Sequence, residues 1–234
     1  MKVILFGATG YIGAEVLRQC LARPDVTSII AISRRDPGVT HGKLTFIQHS
    51  DFSHYTDDIL AHFADAQACI YCLGTNIPVS PPELNRKINF EYALYTAKTF
   101  TAIASNQRKG RGGANESPPF RFVYNSGCLV EKDASKRLWF METTRKMRGD
   151  LENALLQLQK GQDAKSGFGM VIVRPGGVTP QGAVVRTWLL SWLMPAIMVG
   201  DLGTAMVELA VGGNRGEGTL VENERLIALG RGVP

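Results

Sequence analysis

The chain has 234 residues, 44% of them hydrophobic and 20% charged, with 25 Gly and 11 Pro; folding at this length buries roughly 70% of the unfolded surface, enough for one large core. That composition excludes a disordered segment, a collagen-like fibre and a low-complexity array. The net charge of +5 arises between residues 105 and 150, where ten Lys/Arg meet five Asp/Glu, and Arg108, Lys109 and Arg111 lie among Gly, Ser and Pro rather than beside stacking aromatics, which argues against a nucleic-acid partner.

In chain order, Val3–Phe6, Ile29–Ile32, Cys69–Leu73, Phe122–Tyr124 and Met170–Val173 are short, nearly unbroken apolar runs, the signature of strands buried on both faces. Leu44–Ile47 adds a further strand, followed by a short helix near Asp57–Ala64. Helical spacing appears at Ile12/Val16/Leu17, at Leu84/Ile88/Tyr92/Tyr95/Thr99 and at Leu151/Ala154/Leu155/Leu158. Strands alternating with helices require crossover connections, hence an α/β fold: a Rossmann-type, doubly wound parallel sheet. Gln107–Pro119 reads as an exposed loop, and the alternation weakens after Arg174. The expectation is one domain over 1–234, with a dinucleotide-binding core at 1–174 and a small cap at 175–234 above the carboxyl ends of the strands.

Four cysteines are too few for a disulfide scaffold, and no leader-like stretch precedes the first strand, so a cytoplasmic location is expected. Trp188–Val199 is apolar for 12 residues with Pro195 inside it, too short to span a bilayer. Cys69 and Cys72 stand three apart on a strand and face opposite ways, and all four histidines precede residue 63 without a metal spacing, so no metal is expected. Ser126 lacks the glycine two positions before it and the downstream His that a hydrolase nucleophile needs.

Gly7-Ala8-Thr9-Gly10-Tyr11-Ile12-Gly13 links the first strand to the first helix. Glycines there permit a tight turn, close approach of backbone N–H groups to a pyrophosphate and close helix-on-strand packing, while the helix N-terminus favours the negative charge. At the end of the second strand, where an NAD site carries an acidic residue, stand Ser33, Arg34 and Arg35. Two guanidinium forks suit a 2′-phosphate, so NADP (as NADPH) is expected over NAD.

With Asp51-Phe52, Cys72-Leu73-Gly74-Thr75, Ser126, Arg174-Pro175-Gly176-Gly177-Val178, Asp201–Met206 and Glu222–Leu226, these motifs resemble the atypical short-chain dehydrogenases/reductases over nearly the whole chain. The branch they resemble contains HIV Tat-interactive protein 2 and the NmrA-like NAD(P)H-binding proteins. The resemblance implies that Asp51 and Phe52 lie near the adenine, Leu73, Gly74 and Thr75 near the riboses, and Pro175, Gly176, Gly177 and Val178 near the nicotinamide. It also implies that Ser126 holds the substrate carbonyl. The family's Tyr-x-x-x-Lys pair is absent, since no tyrosine follows Ser126. Aligning Gly149-Asp150-Leu151-Glu152 with the segment that follows the family lysine puts Thr144 and Arg148 at the two positions, which leaves water, Lys146 or the substrate itself to supply a proton. An aliphatic alcohol is far too weak an acid to replace a phenol, and Arg exchanges no proton near neutrality.

Three readings therefore stand: an NADPH-dependent oxidoreductase acting on a hydrophobic small molecule without that pair; a non-redox isomerase, dehydratase or cyclase; and a nucleotide-sensing protein without catalysis. Trp139, Phe140 and Met141, with Trp188–Met194, form either a lid over an aromatic or polycyclic substrate or a contact in a homodimer. Asn89 is either a structural, water-holding residue or an ordinary helix-surface Asn.

Overall fold

The computed structural model describes residues 1–110, 119–161, 167–183, 195–212 and 219–233. Seven parallel strands form one sheet: β1 (Lys2–Phe6), β2 (Ser28–Ser33), β3 (Leu44–Gln48), β4 (Ala68–Tyr71), β5 (Phe120–Asn125), β6 (Phe168–Arg174) and a last strand, Leu220–Glu222. Their spatial order is β3-β2-β1-β4-β5-β6 and then that last strand, so the winding reverses between β1 and β4. Such a reversal opens a crevice at the carboxyl ends of the strands, where ligands of open α/β sheets bind. This is the expected Rossmann-type fold.

Period-two alternation divides the core. Val3, Leu5, Ile29, Ala31, Ala68, Ile70, Val123, Val171 and Val173 face an aliphatic layer covered by α1 (Tyr11–Ala22) and by the later helix Val199–Val211, here α6. Ile4, Phe6, Ile30, Ile32, Cys69, Tyr71, Phe122, Tyr124, Met170 and Ile172 face the other way, toward α2 (Asp57–Phe63), α4 (Tyr92–Gly110) and α5 (Glu142–Lys160). That second layer is aromatic: Phe63 and Phe100 lie 4.8 Å apart by ring centroid, and Phe100 stacks on Phe120 at 5.0 Å. The aliphatic side allows closer helix contact, and a Cβ added at Gly203 of α6 would lie 2.8 Å from Glu15 Cγ of α1.

Several boundaries differ from the sequence reading. The fourth strand stops at Tyr71, which frees Cys72 and Leu73 for the crevice. The helix α4 runs to Gly110, past the expected loop start at Gln107; Thr96, Thr101 and Ser105 turn their hydroxyls onto the carbonyls of Tyr92, Ala97 and Thr101, spending them within the helix. It is preceded by α3 (Pro82–Arg86) and a five-residue π-helical turn, Lys87–Glu91. The segment after Arg174 is more than a cap. β7 (Gly177–Thr179) and β8 (Ala196–Met198) make a small parallel pair, α6 covers the sheet beside α1, β9 (Leu220–Glu222) lengthens the sheet, and α7 (Asn223–Gly230) packs on α6. Three-residue strands carry too little alternation to be recognised in sequence. The apolar stretch Trp188–Met194 lies outside the described residues. Among the described residues no helix is long and apolar enough to cross a membrane.

Candidate functional site

The cleft begins at the first strand-to-helix turn. Gly7 has φ +82°, and a Cβ there would sit 2.8 Å from the carbonyl carbon and oxygen of Cys72. Gly10 N–H donates to Gly7 O (2.9 Å), Gly10 caps α1 without a side-chain bond, and a Cβ on Gly13 would fall 2.0 Å from Gly7 O. Glycine at positions 7 and 13 lets β1, β4 and α1 converge with the helix N-terminus turned to the crevice.

Beside it, Ser33 is buried and its hydroxyl donates to Arg35 O (2.6 Å), which shapes the turn that carries Arg34 and Arg35 outward. Both arginines are exposed, and among the described residues neither guanidinium has an acidic partner. Asp51 is bonded by the hydroxyl and N–H of Ser53 (2.7 and 3.2 Å) and approached by Lys87 (3.3 Å); these contacts, Ser53 foremost, hold its carboxyl well below the usual range. The neighbouring Phe52 is 1% exposed, and its side chain packs on Phe6, His49 and Tyr92. An apolar ring beside an aromatic core layer buries itself there.

The cleft has a volume of about 500 Å³. Gly10, Tyr11 and Ile12 line one end, Cys72, Leu73, Gly74 and Asn76 the floor, Tyr124 to Leu129 the middle, and Pro175, Gly176, Gly177 and Val178 the far wall. Thr75 is held from below: its N–H donates to Asn89 Oδ1 (2.7 Å), while Asn89 Nδ2 donates to Thr75 Oγ1 and to Asn85 Oδ1 (both 2.9 Å). Asn89 sits in the π-helical turn, a local widening that often marks functional sites, and lines the cleft. The Pro175–Val178 turn is fixed by Asn223, whose Oδ1 accepts from Gly176 N–H (2.8 Å), and by Pro195 O, which accepts from Gly177 N–H (2.7 Å).

Ser126 is 6% exposed and lines the cleft. Its hydroxyl donates to Glu152 Oε1 at 2.7 Å. Glu152 is fully buried; Arg174 Nε donates to the same oxygen (3.0 Å), and Arg174 Nη2 and Lys132 Nζ (3.4 Å) reach Oε2. Arg174 also pairs with Glu222 (2.9 Å). The sequence reading used Glu152 only to align α5, and no short spacing could have revealed a carboxylate joined to a serine 26 positions away.

Arg148 lines the cleft, its Nη2 donating to Asn76 Oδ1 (2.8 Å) and more weakly to Thr75 O (3.5 Å). Gly149 brings it there, since a Cβ at that position would fall 1.9 Å from Glu131 O. Thr144 and Lys146 are not among the lining residues: Thr144 is buried at 5% exposure, and Lys146 pairs with Glu142 (2.8 Å). From α5 only Arg148 lines the cleft: Lys146, two positions away, lies on another face, while Thr144 shares the face of Arg148 one turn earlier but is buried. Tyr124 was not anticipated. It lines the cleft two residues before Ser126, and burial pushes its phenol up to about 12, against an opposing pull from Arg148. Phe140 and Met141 line the mouth, and Trp139 beside them is 95% exposed.

No family model matches the chain. The chain is 28% identical over 225 residues to the protein named FMP52, mitochondrial, of Candida albicans, covering 93% of this chain and 91% of that one. That relative's name corrects the cytoplasmic expectation: cysteine usage separates oxidising from reducing surroundings and says nothing finer about compartment. In solved structures, the chain resembles a short chain dehydrogenase from Leptospira borgpetersenii with bound NAD+ (TM-score 0.68, 14% identity, 97% of this chain and 92% of that one). It also resembles the yeast methylglyoxal/isovaleraldehyde reductase Gre2 complexed with NADPH (TM-score 0.64, 14% identity, 95% and 78%). At these identities the likeness establishes the Rossmann-type fold.

Proposed function

We propose that the chain is an NADP-dependent oxidoreductase of the atypical short-chain dehydrogenase/reductase type, acting on a hydrophobic small molecule in the cleft. The observation that carries this reading is the glycine cradle at Gly7, Gly10 and Gly13 opening onto a helix N-terminus, with two exposed arginines at the end of β2 that have no acidic partner among the described residues. The cradle fits a dinucleotide because side-chain-free backbone can approach a pyrophosphate there. Backbone amides at Thr9 to Ile12 would hold the pyrophosphate, Arg34 and Arg35 a 2′-phosphate, Asp51 the adenine edge, and Gly74, Thr75 and Arg148 the ribose nearer the reaction. Pro175 to Val178 would wall the nicotinamide. When bound, the cofactor supplies hydride exchange with a carbon of the substrate.

The chain's own residues shape the rest. Ser126 contacts the reacting oxygen or nitrogen, and Leu129, Phe140 and Met141 give the cleft an apolar mouth that excludes water and suits an aromatic or aliphatic body. Tyr124 lines the middle of this cleft, and burial raises its phenol further above neutrality, so it keeps a proton to donate there. The branch resemblance, which extends to the closing segment around Asn223, supports the same assignment.

Titrating NADPH and NADH into the wild-type chain and into Arg34→Ala/Arg35→Ala tests the cofactor preference. The double variant is expected to lose about ten- to hundred-fold in NADPH affinity with little change for NADH, as removal of charge-assisted phosphate contacts implies. Equal losses for both cofactors would remove the NADP assignment. The redox half is read as consumption of reduced-nicotinamide absorbance over a panel of aryl and alkyl ketones and aldehydes; a product formed with constant absorbance would count against it.

A further inference from the structure

A serine hydroxyl has one proton to give and two lone pairs to offer. At Ser126 that proton is directed to Glu152 Oε1 (2.7 Å), away from the cleft, onto a carboxylate that solvent does not reach. Among the described residues, the other partners of Glu152 are cationic donors: Arg174 through Nε and Nη2, and Lys132 through Nζ. The carboxylate is therefore an acceptor on both oxygens, and Ser126 is the donor in their bond. What Ser126 turns to the cleft is lone pairs.

We propose that Glu152 is a positioning residue that fixes Ser126 as a hydrogen-bond acceptor, so that the site selects a substrate group that donates, an alcohol hydroxyl, over a bare carbonyl at the same place. This rests on the reading of the cleft as the substrate site. For Ser126 to donate to a carbonyl, its proton has to leave Glu152, and Oε1 then keeps, among the described residues, only Arg174 Nε. A bond to a charged group is worth more than a neutral one, so the exchange disfavours the carbonyl by about ten-fold or more in affinity. The alcohol needs no such exchange: its hydroxyl donates to Ser126 Oγ while Ser126 keeps its bond to Glu152.

The test compares binding of benzylacetone with that of the alcohol formed by its reduction. Ligand-observed NMR would be used on the full chain, with and without the tetrahydro form of NADP, a reduced analogue with no hydride to transfer. Neither compound turns over under these conditions, so the ratio of dissociation constants reads recognition alone. The wild type is expected to prefer the alcohol by about ten-fold. Ser126→Ala is expected to bring the ratio close to one, and Ser126→Thr, which keeps a hydroxyl, to retain the preference. Glu152→Gln presents an amide that can donate to Ser126 Oγ, and is expected to erase or invert the preference, a change that a merely structural role would not produce. Should Glu152→Gln fail to fold, the two Ser126 variants still decide. A wild-type ratio at or below one, a preference that survives Ser126→Ala, or no measurable binding of either compound overturns the inference. Failure of the analogue to bind counts against the cofactor assignment, and the ratio measured without it still tests Glu152.

Discussion

At the scale of single residues, the cleft depends on where side chains spend their polar groups. Ser126 was visible in the sequence through the family resemblance at its place after the fifth strand, whereas Glu152 meets it, and Arg174 and Lys132 meet Glu152, only once the chain is packed. The same reasoning separates Asp51 from Phe52, adjacent in sequence, one half-exposed and bonded to Ser53 and Lys87, the other sealed among rings. Tyr124 gives a measurable consequence. Its ordinary value is near 10 and its folded value about 12, so the folded state keeps the proton that the unfolded state releases. Stability from this group is fully present below pH 10 and is lost as pH rises through about 12. Tyr124→Phe is expected to flatten the alkaline fall in stability by on the order of 2 kcal/mol across that window, measured by denaturant titration at successive pH values. An unchanged slope would show that the phenol is not held neutral by the fold.

At the scale of elements, the strands and the first turn were legible because doubly buried strands are continuous apolar runs and because a glycine turn has few other uses between strand and helix. The limits were equally physical. Helical periodicity does not mark where α4 ends when its last turns are polar, and an alignment to a family segment places Thr144 and Arg148 on one helix face without telling how deep each lies, which is why Thr144 was expected beside Arg148. Close backbone approach decides both ends of the site. Gly13→Ala would place a methyl group 2.0 Å from Gly7 O, so α1 has to move off the turn. A loss of about 3 kcal/mol in unfolding free energy is expected, with weakened binding of either dinucleotide. Retention of native stability and affinity would mean that the cradle has slack the geometry does not show.

For the whole molecule, one sheet separates an aliphatic layer from an aromatic one, and the cleft opens across both at the strands' carboxyl ends. The sequence reading placed everything beyond Arg174 in a cap, yet that segment supplies a sheet edge, a covering helix and the clamp on the Pro175–Val178 turn. Asn223→Ala removes the acceptor for Gly176 N–H and a donor to Ala196 O, and is expected to cost about 1–3 kcal/mol and to weaken cofactor retention, read together by thermal melting with and without NADPH. The clamp also ties distant stretches of chain into one unit: Asn223 holds the turn at Gly176, and Glu222 beside it pairs with Arg174, which in turn holds Glu152 behind Ser126. A disturbance at residues 222–223 therefore reaches both the wall at Pro175–Val178 and the serine in the middle of the cleft, although neither residue lines it.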